Sequence, residues 1–343
     1  MSNLKNTFLY FLRTKGINKL PKTLKDKIIF FRNSYLKLRK SSDIPAEIGR
    51  RKSLSIFEVQ QLSQPLTPYP FSKVPENNYY GNALALGSIC DTTNCYNTVI
   101  EHGLFFGSYV PEDYKSYDTI LTFSEYRKKI IRNKYPNKEV IVTGPYIEYI
   151  APLTLNEKDK QLIIDFNKIL LVIPAHSINS VHVDFNSKKM VEDIMSFKEQ
   201  HSFDTVLVCL YWKDVLLGAD KYYKNLGIQT VTAGHIYDIN FLARLKTIIS
   251  LSSYVLTNTV GTHIGYSICL NKPLQIIKDV SLTYIEGNNN IAAKNELELR
   301  KNQDKETYDA AIREIENEFL IYNNGISSKQ SQCINKFWGK KVH

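Results

Sequence analysis

The sequence predicts an α/β protein built on parallel sheets, in two domains. Three observations predict it. Short apolar runs recur along the chain, among them residues 168–174 (KILLVIP), 204–210 (DTVLVCL) and 253–257 (SYVLT). Segments of helical character separate them, the repeat that parallel strands with crossover helices require. Loops bearing His, Ser, Thr or Gly follow the runs, at the edge where open α/β sheets hold ligands. At 343 residues the chain exceeds one small core. The expected division is a basic amphipathic extension over 1–50, a first α/β domain over 51–150, a second over 151–325, and a C-terminal helix over 326–343 that returns to the first.

The net charge of +10 is not spread over the chain. Residues 1–52 hold 14 Lys/Arg against 3 Asp/Glu, and the rest holds 30 against 31. A nearly neutral body argues against a nucleic-acid groove. In residues 1–40, Phe8, Leu9, Phe11, Leu12, Ile28, Ile29 and Phe31 interleave with Lys5, Arg13, Lys15, Lys25, Lys27 and Arg32. Two short basic helices, split by Gly16 and Pro21, would lie on an anionic membrane surface, each basic residue contributing about 1 kcal/mol. No apolar run approaches the ~18 residues of a spanning helix, and the N-terminus makes a poor signal peptide. Five cysteines without paired metal spacing fit a reducing cytoplasm, with Cys209 and Cys269 as core residues.

The elements follow in order. Prolines 45, 65, 68, 70 and 75 predict an extended lead-in over 41–78. In the first α/β domain the strands are 98–100, 119–123 and 139–143, and Ser124 caps a helix over 125–134. Between the first two strands lies EHGLFFGSY, residues 101–109. Its Glu101 and His102 stand at a strand's carboxyl end, where two titratable groups reach a cleft edge. A helix cap and a core histidine would give the same letters.

In the second domain, strand 168–174 runs into Ala175-His176-Ser177, and strand 204–210 into Tyr211-Trp212-Lys213-Asp214. Helices are expected over 188–200, 217–226, 240–250, 308–319 and 331–338. Strand 229–233 runs into Gly234-His235. The most informative unit is 257–273, TNTVGTHIGYSICLNKP: a strand end, a small polar loop, a short helix and a turn into the strand 274–277. First-turn N–H groups and the helix dipole form an anion site. Gly261 would let a diphosphate approach the backbone, with Asn258, Thr259, Thr262 and His263 around it.

This pattern resembles the GT-B glycosyltransferases, whose two Rossmann-like domains face a cleft. The carrying residues are 204–210, Gly234-His235 and 254–273. EHGLFFGSYVPEDY and FSEYRKKII resemble bacterial surface-polysaccharide glycosyltransferases, of the capsular, lipopolysaccharide or teichoic type. The His-Gly step is also similar to that of the CDP-glycerol glycerophosphotransferases. The resemblance covers about residues 80–340. Two family features are missing: an E-x(7)-E pair in the second domain, and a Gly-rich loop early in the first unless Gly81–Gly87 serves.

The resemblance implies a transferase that moves a sugar from a nucleotide-activated donor to a glycan or lipid-linked acceptor. Glu101 or His102 would deprotonate the acceptor hydroxyl. His176, Ser177, Trp212, Lys213, His235, Asn258, Thr259, Gly261, Thr262 and His263 would hold the donor. No DxD-type pair follows a strand, so no metal or other cofactor is expected. The expected place is the inner face of the cell membrane, peripherally bound. A glycerophosphotransferase-like polymerase, a non-hydrolysing nucleotide-sugar epimerase and a non-catalytic assembly subunit are the alternatives.

Overall fold

A computed structural model describes residues 43–66, 68, 71–89, 96–178, 181–278, 281–286 and 304–340. The extension expected over 1–40, with Cys90 and Cys95, lies outside the described residues. By packing, the chain divides into two compact units, Met1–Arg50 and Arg51–His343. In the first, Glu47 and Arg50 pair at 2.7 Å on the surface of helix α1 (Asp43–Ser53), an interaction of about 0.2–0.5 kcal/mol. Both sheets and the candidate site lie in the second.

The extended lead-in is corrected. Besides α1, residues 41–78 contain helix α2 (Val59–Leu62), and a 3₁₀ turn, Pro75–Gly81, runs on from them into helix α3 (Asn82–Ala85). Pro45 stands in the first turn of α1 and Pro75 opens the 3₁₀ turn. There a missing N–H breaks no hydrogen bond, so these prolines start helical segments rather than prevent them.

Strands β1 (Thr98–Ile100), β2 (Thr119–Thr122) and β3 (Glu139–Val142) form a parallel three-stranded sheet in chain order. Between β2 and β3 runs helix α4 (Glu125–Lys134), capped by Ser124, whose hydroxyl accepts from the Arg127 N–H. Helix α5 (Glu157–Ile163) leads to the larger sheet.

That sheet begins with β4 (Ile169–Ile173). Strand β5 (Val181–Asp184) and helix α6 (Ser187–Gln200) follow, then β6 (Thr205–Cys209). The helix expected over 217–226 is α8 (Ala219–Asn225), and a further short helix, α7 (Trp212–Leu216), precedes it across Gly218 with φ +93°. Strand β7 (Gln229–Val231), helix α9 (Phe241–Leu251), strand β8 (Tyr254–Thr257), helix α10 (Thr262–Cys269) and strand β9 (Leu274–Ile276) complete it. The five strands run parallel in the order β7-β6-β4-β8-β9. The three central strands, β6, β4 and β8, are almost wholly apolar, as strands covered on both faces are, whereas the outer β7 and β9 carry Gln229 and Gln275. Strand β10 (Thr283–Glu286) pairs antiparallel with β5, apart from both sheets. The mixed α/β fold with parallel sheets is thus the one the apolar runs predicted.

Two helices close the described chain, α11 (Lys305–Phe319) and α12 (Ser328–Trp338). One apolar cluster runs from Ile100 and Leu121 of the small sheet through Leu171 and Val255 of the large one to Phe337 and Trp338. Helix α12 packs on both α4 and α10. Its Trp338 has no exposed surface and donates its indole N–H to the Thr262 carbonyl at 3.1 Å. Gly265 makes room for that ring, because a Cβ there would stand 2.1 Å from Trp338 Cδ1. Gly339 ends α12 at φ +73°, where a Cβ would stand 2.0 Å from the Phe123 carbonyl oxygen. Only glycine meets both demands.

Candidate functional site

The strand order of the large sheet reverses at β4: the chain first adds β6 and β7 on one side, then β8 and β9 on the other. Loops that diverge from such a switch point leave a crevice at the strands' carboxyl ends. Here the two loops are 174–178, after β4, and 258–261, after β8. Asn258 ties them, its Oδ1 accepting from the Ala175 N–H at 2.7 Å. The Asn258 residue is 5% exposed, and its Nδ2 is buried with no hydrogen-bond partner. An unpaired buried amide donor costs about 1–3 kcal/mol, which an acceptor atom beside it would offset.

Two histidines flank Asn258. His263 Nε2 lies 2.9 Å from the Thr257 hydroxyl. Burial, with the nearby His176 adding to it, pushes its pKa down to about 3. The imidazole is therefore neutral at physiological pH. The His176 ring packs edge-on against Tyr211 at 4.4 Å. The residue is exposed, yet the atoms crowded around its ring lower its pKa, and Asp214 opposes. The first turn of α10 has no side-chain cap. Gly261 has φ −164°, which any residue adopts, and its special property is space: a Cβ would stand 3.0 Å from the His263 ring.

The other expected donor residues divide. Ser177 is 1% exposed; its N–H donates to both Asp214 carboxylate oxygens at 3.2 Å, and its hydroxyl accepts from the Val183 N–H at 3.1 Å. It pins the β4 loop to α7 and β5 and has no face toward the crevice mouth. Lys213 donates to the Ile178 carbonyl at 3.1 Å and serves the same loop. His235 is buried beside Trp212, their rings 4.3 Å apart. It accepts the Tyr237 N–H at Nδ1, which leaves Nε2 to carry the proton. Burial first, then the Arg51 charge, bring its pKa down to about 4, against Asp238.

The small sheet supplies the facing wall. Leu104 donates its N–H to the Thr262 hydroxyl at 3.3 Å, which joins the Glu-His-Gly loop to the start of α10. The two loops singled out from sequence are therefore neighbours. From His102 a row of rings crosses to the large sheet: Tyr79 at 5.4 Å, then Tyr237 at 5.5 Å, then His235 at 5.5 Å. Tyr79 and Tyr237 were not singled out from sequence, and Tyr211 and Asp214 were named only as part of the loop after strand 204–210. The Tyr79-Tyr80 pair beside Gly81 was the available signal, because Tyr80 has a left-handed φ of 59°, uncommon for a tyrosine.

Glu101 and His102 part company. Glu101 has no exposed surface. Its Oε1 accepts from Arg127 Nη2 at 2.7 Å and Nε at 3.0 Å, and its Oε2 from the Thr122 hydroxyl at 2.5 Å. Arg127 is equally enclosed. This carboxylate is matched by a guanidinium in the interior. His102, the next residue, turns outward and is half-buried.

Among the described residues no cluster of His, Cys, Asp or Glu is arranged to hold a metal, and no helix is long and apolar enough to cross a membrane. No family profile matches the chain, and no curated protein does. Solved structures resemble it distantly. One is a protein assigned as a UDP-N-acetylglucosamine 2-epimerase from Listeria monocytogenes, 12% identical over 68% of this chain and 72% of that one, with a TM-score of 0.34. Another is a GtfA/B complex, 12% identical over 71% of this chain and 53% of that one, with a TM-score of 0.28. Likeness at this level carries no argument about activity.

Proposed function

We propose that the chain is a GT-B-type glycosyltransferase that binds a nucleotide sugar at the switch point of the large sheet and passes the sugar to a hydroxyl presented near His102. The observation that carries the reading is Asn258, a buried amide with a free donor between two neutral-leaning histidines. Amide and imidazole N–H groups, with the uncapped first turn of α10, suit a diphosphate that must leave with the electron pair of the glycosidic bond. The neutral His263 imidazole and the Thr262 hydroxyl are further donors to that group.

His102 is the acceptor base in this reading. It accepts the hydroxyl proton as the acceptor oxygen bonds to the anomeric carbon and the carbon–phosphate oxygen bond breaks. Glu101 holds Arg127 and the loop in place and takes no proton. Trp212 and Tyr237 wall the crevice between the two loops and limit water there. The acceptor is a growing surface glycan or a lipid-linked one, and residues 1–40 hold the enzyme on the anionic inner leaflet.

The test is a thermal-shift screen across CDP, CMP, UDP, GDP and dTDP. One nucleotide at 100 times its Kd should stabilise the protein by about 2.7 kcal/mol, and Asn258→Leu should abolish that shift. The cognate nucleotide sugar should then release nucleotide only when acceptor is added. Release or epimer formation without acceptor identifies an epimerase. The absence of any nucleotide shift removes the enzyme reading and leaves the assembly subunit.

A further inference from the structure

A cavity of about 130 Å³ opens beside His102. Its wall includes Glu76, His102, Phe105, Tyr109, Asp113 and Tyr114, and none of its lining residues is Lys or Arg. The volume admits a group no larger than about one sugar ring, since a single water needs ~10–15 Å³ on this measure and whole ligand sites span ~300–1,000 Å³.

The chemistry of the wall is specific. Glu76 Oε2 is buried and has no hydrogen-bond partner. Burial raises the pKa of both Tyr79 and Tyr117, and the nearby Glu76 carboxylate adds to each shift. Asp113 adds a second carboxylate, and three aromatic rings complete the wall. A buried cation beside the cavity wall, Arg127, is already matched by Glu101 and lies over the Phe105 ring, 4.8 Å from its centroid. A buried carboxylate oxygen without a partner is satisfied by a cation or strong donor, and aromatic faces favour a cation as well.

We infer that this cavity binds a protonated amine on the acceptor, an amino sugar whose nitrogen is not acylated, with the ammonium at Glu76 and the reacting hydroxyl toward His102. The inference rests on the transferase reading for the word acceptor, whereas the binding preference itself does not. A neutral sugar would leave Glu76 without charge compensation, and an acetamido group would bring a bulky, uncharged substituent to the same spot.

The experiment titrates the full chain with glucosamine, N-acetylglucosamine and glucose, without donor, at pH 7 and low salt, by calorimetry or saturation-transfer NMR. Glucosamine should bind at least about tenfold tighter than the other two, a difference of about 1.4 kcal/mol, and the preference should shrink as salt rises. Glu76→Gln should bring the three sugars to parity. Asp113→Asn, at an exposed position, should reduce the preference partly and guards against a folding defect in the first variant. Equal binding of the three sugars, no saturable binding of glucosamine, or a preference that survives Glu76→Gln would each overturn the inference. The nucleotide screen on the same samples separates the two readings. Amine preference without nucleotide binding upholds the cavity and sinks the transferase; nucleotide binding without amine preference does the reverse.

Discussion

Replacing Glu101 by Gln tests whether this carboxylate is a catalytic base or half of a structural ion pair. The substitution preserves shape and removes one charge. In the wild type, Arg127 places Nε and Nη2 on the carboxylate and donates Nη1 to the Tyr109 carbonyl at 2.7 Å, with neither side chain exposed. In Glu101→Gln the guanidinium keeps its charge inside the protein without an anion. The carboxamide NH₂ also meets donors, either Arg127 or the Thr122 hydroxyl, where the carboxylate offered acceptors. Breaking one partner of such a pair costs about 3–5 kcal/mol. Urea denaturation should show a lower midpoint with an unchanged slope. Removing Arg127 as well, as Glu101→Gln with Arg127→Met, should cost less than the sum of the single changes by at least ~1 kcal/mol, the signature of direct coupling. A Glu101→Gln protein of wild-type stability whose turnover falls by about 10²–10⁴-fold would refute this reasoning and return the carboxylate to the chemistry.

Further outcomes follow from the same geometry. His102→Ala should lower kcat by about 10²–10⁴-fold while leaving nucleotide affinity unchanged, and equal turnover would place the base elsewhere. Gly261→Val drives a branched side chain against the His263 ring, so nucleotide binding should weaken at wild-type stability, as thermal shift would show. Both His235 and His263 have folded-state pKa values below their unfolded value near 6.5, so the unfolded chain binds more protons at acid pH. Stability should therefore fall as pH drops from about 6.5 toward 4, and His263→Gln should flatten that slope in urea midpoints. Deleting residues 1–40 should move the protein off anionic liposomes at moderate salt; equal binding with and without them would refute the tether.

Much of this architecture was legible because strands buried on both faces have no option but continuous apolar sequence. Ile169–Ile173, Thr205–Cys209 and Tyr254–Thr257 stand out for that reason, and Ser124 announces α4 because its hydroxyl takes the Arg127 N–H. Strands β5 and β10 gave no such signal, since they pair across a separation of about 100 residues and apart from both sheets. The adjacency of the Glu-His-Gly loop and the start of α10 is a tertiary fact, made by one hydrogen bond between Leu104 and Thr262. The role of Glu101 was hidden in its partner. Arg127 sits among Lys128, Lys129, Arg132 and Lys134 on one basic helix, and letters alone do not tell which of five cations turns inward.

The position of α12 has a consequence for how the chain matures on the ribosome. The small sheet and α4 are complete in sequence by residue 142, yet the Phe106 and Tyr126 rings that flank them pack on Phe337, and Phe106 on Trp338, about 200 residues later. At about 5–20 residues per second the wait is on the order of ten seconds or more. During that interval the apolar flank of α4 is uncovered, which is the condition under which chaperones engage nascent chains and under which strand edges misassociate. The large sheet has no comparable wait, because its five strands lie within residues 169–276. Slowing translation after residue 276 should lengthen chaperone occupancy, whereas slowing it before residue 98 should not.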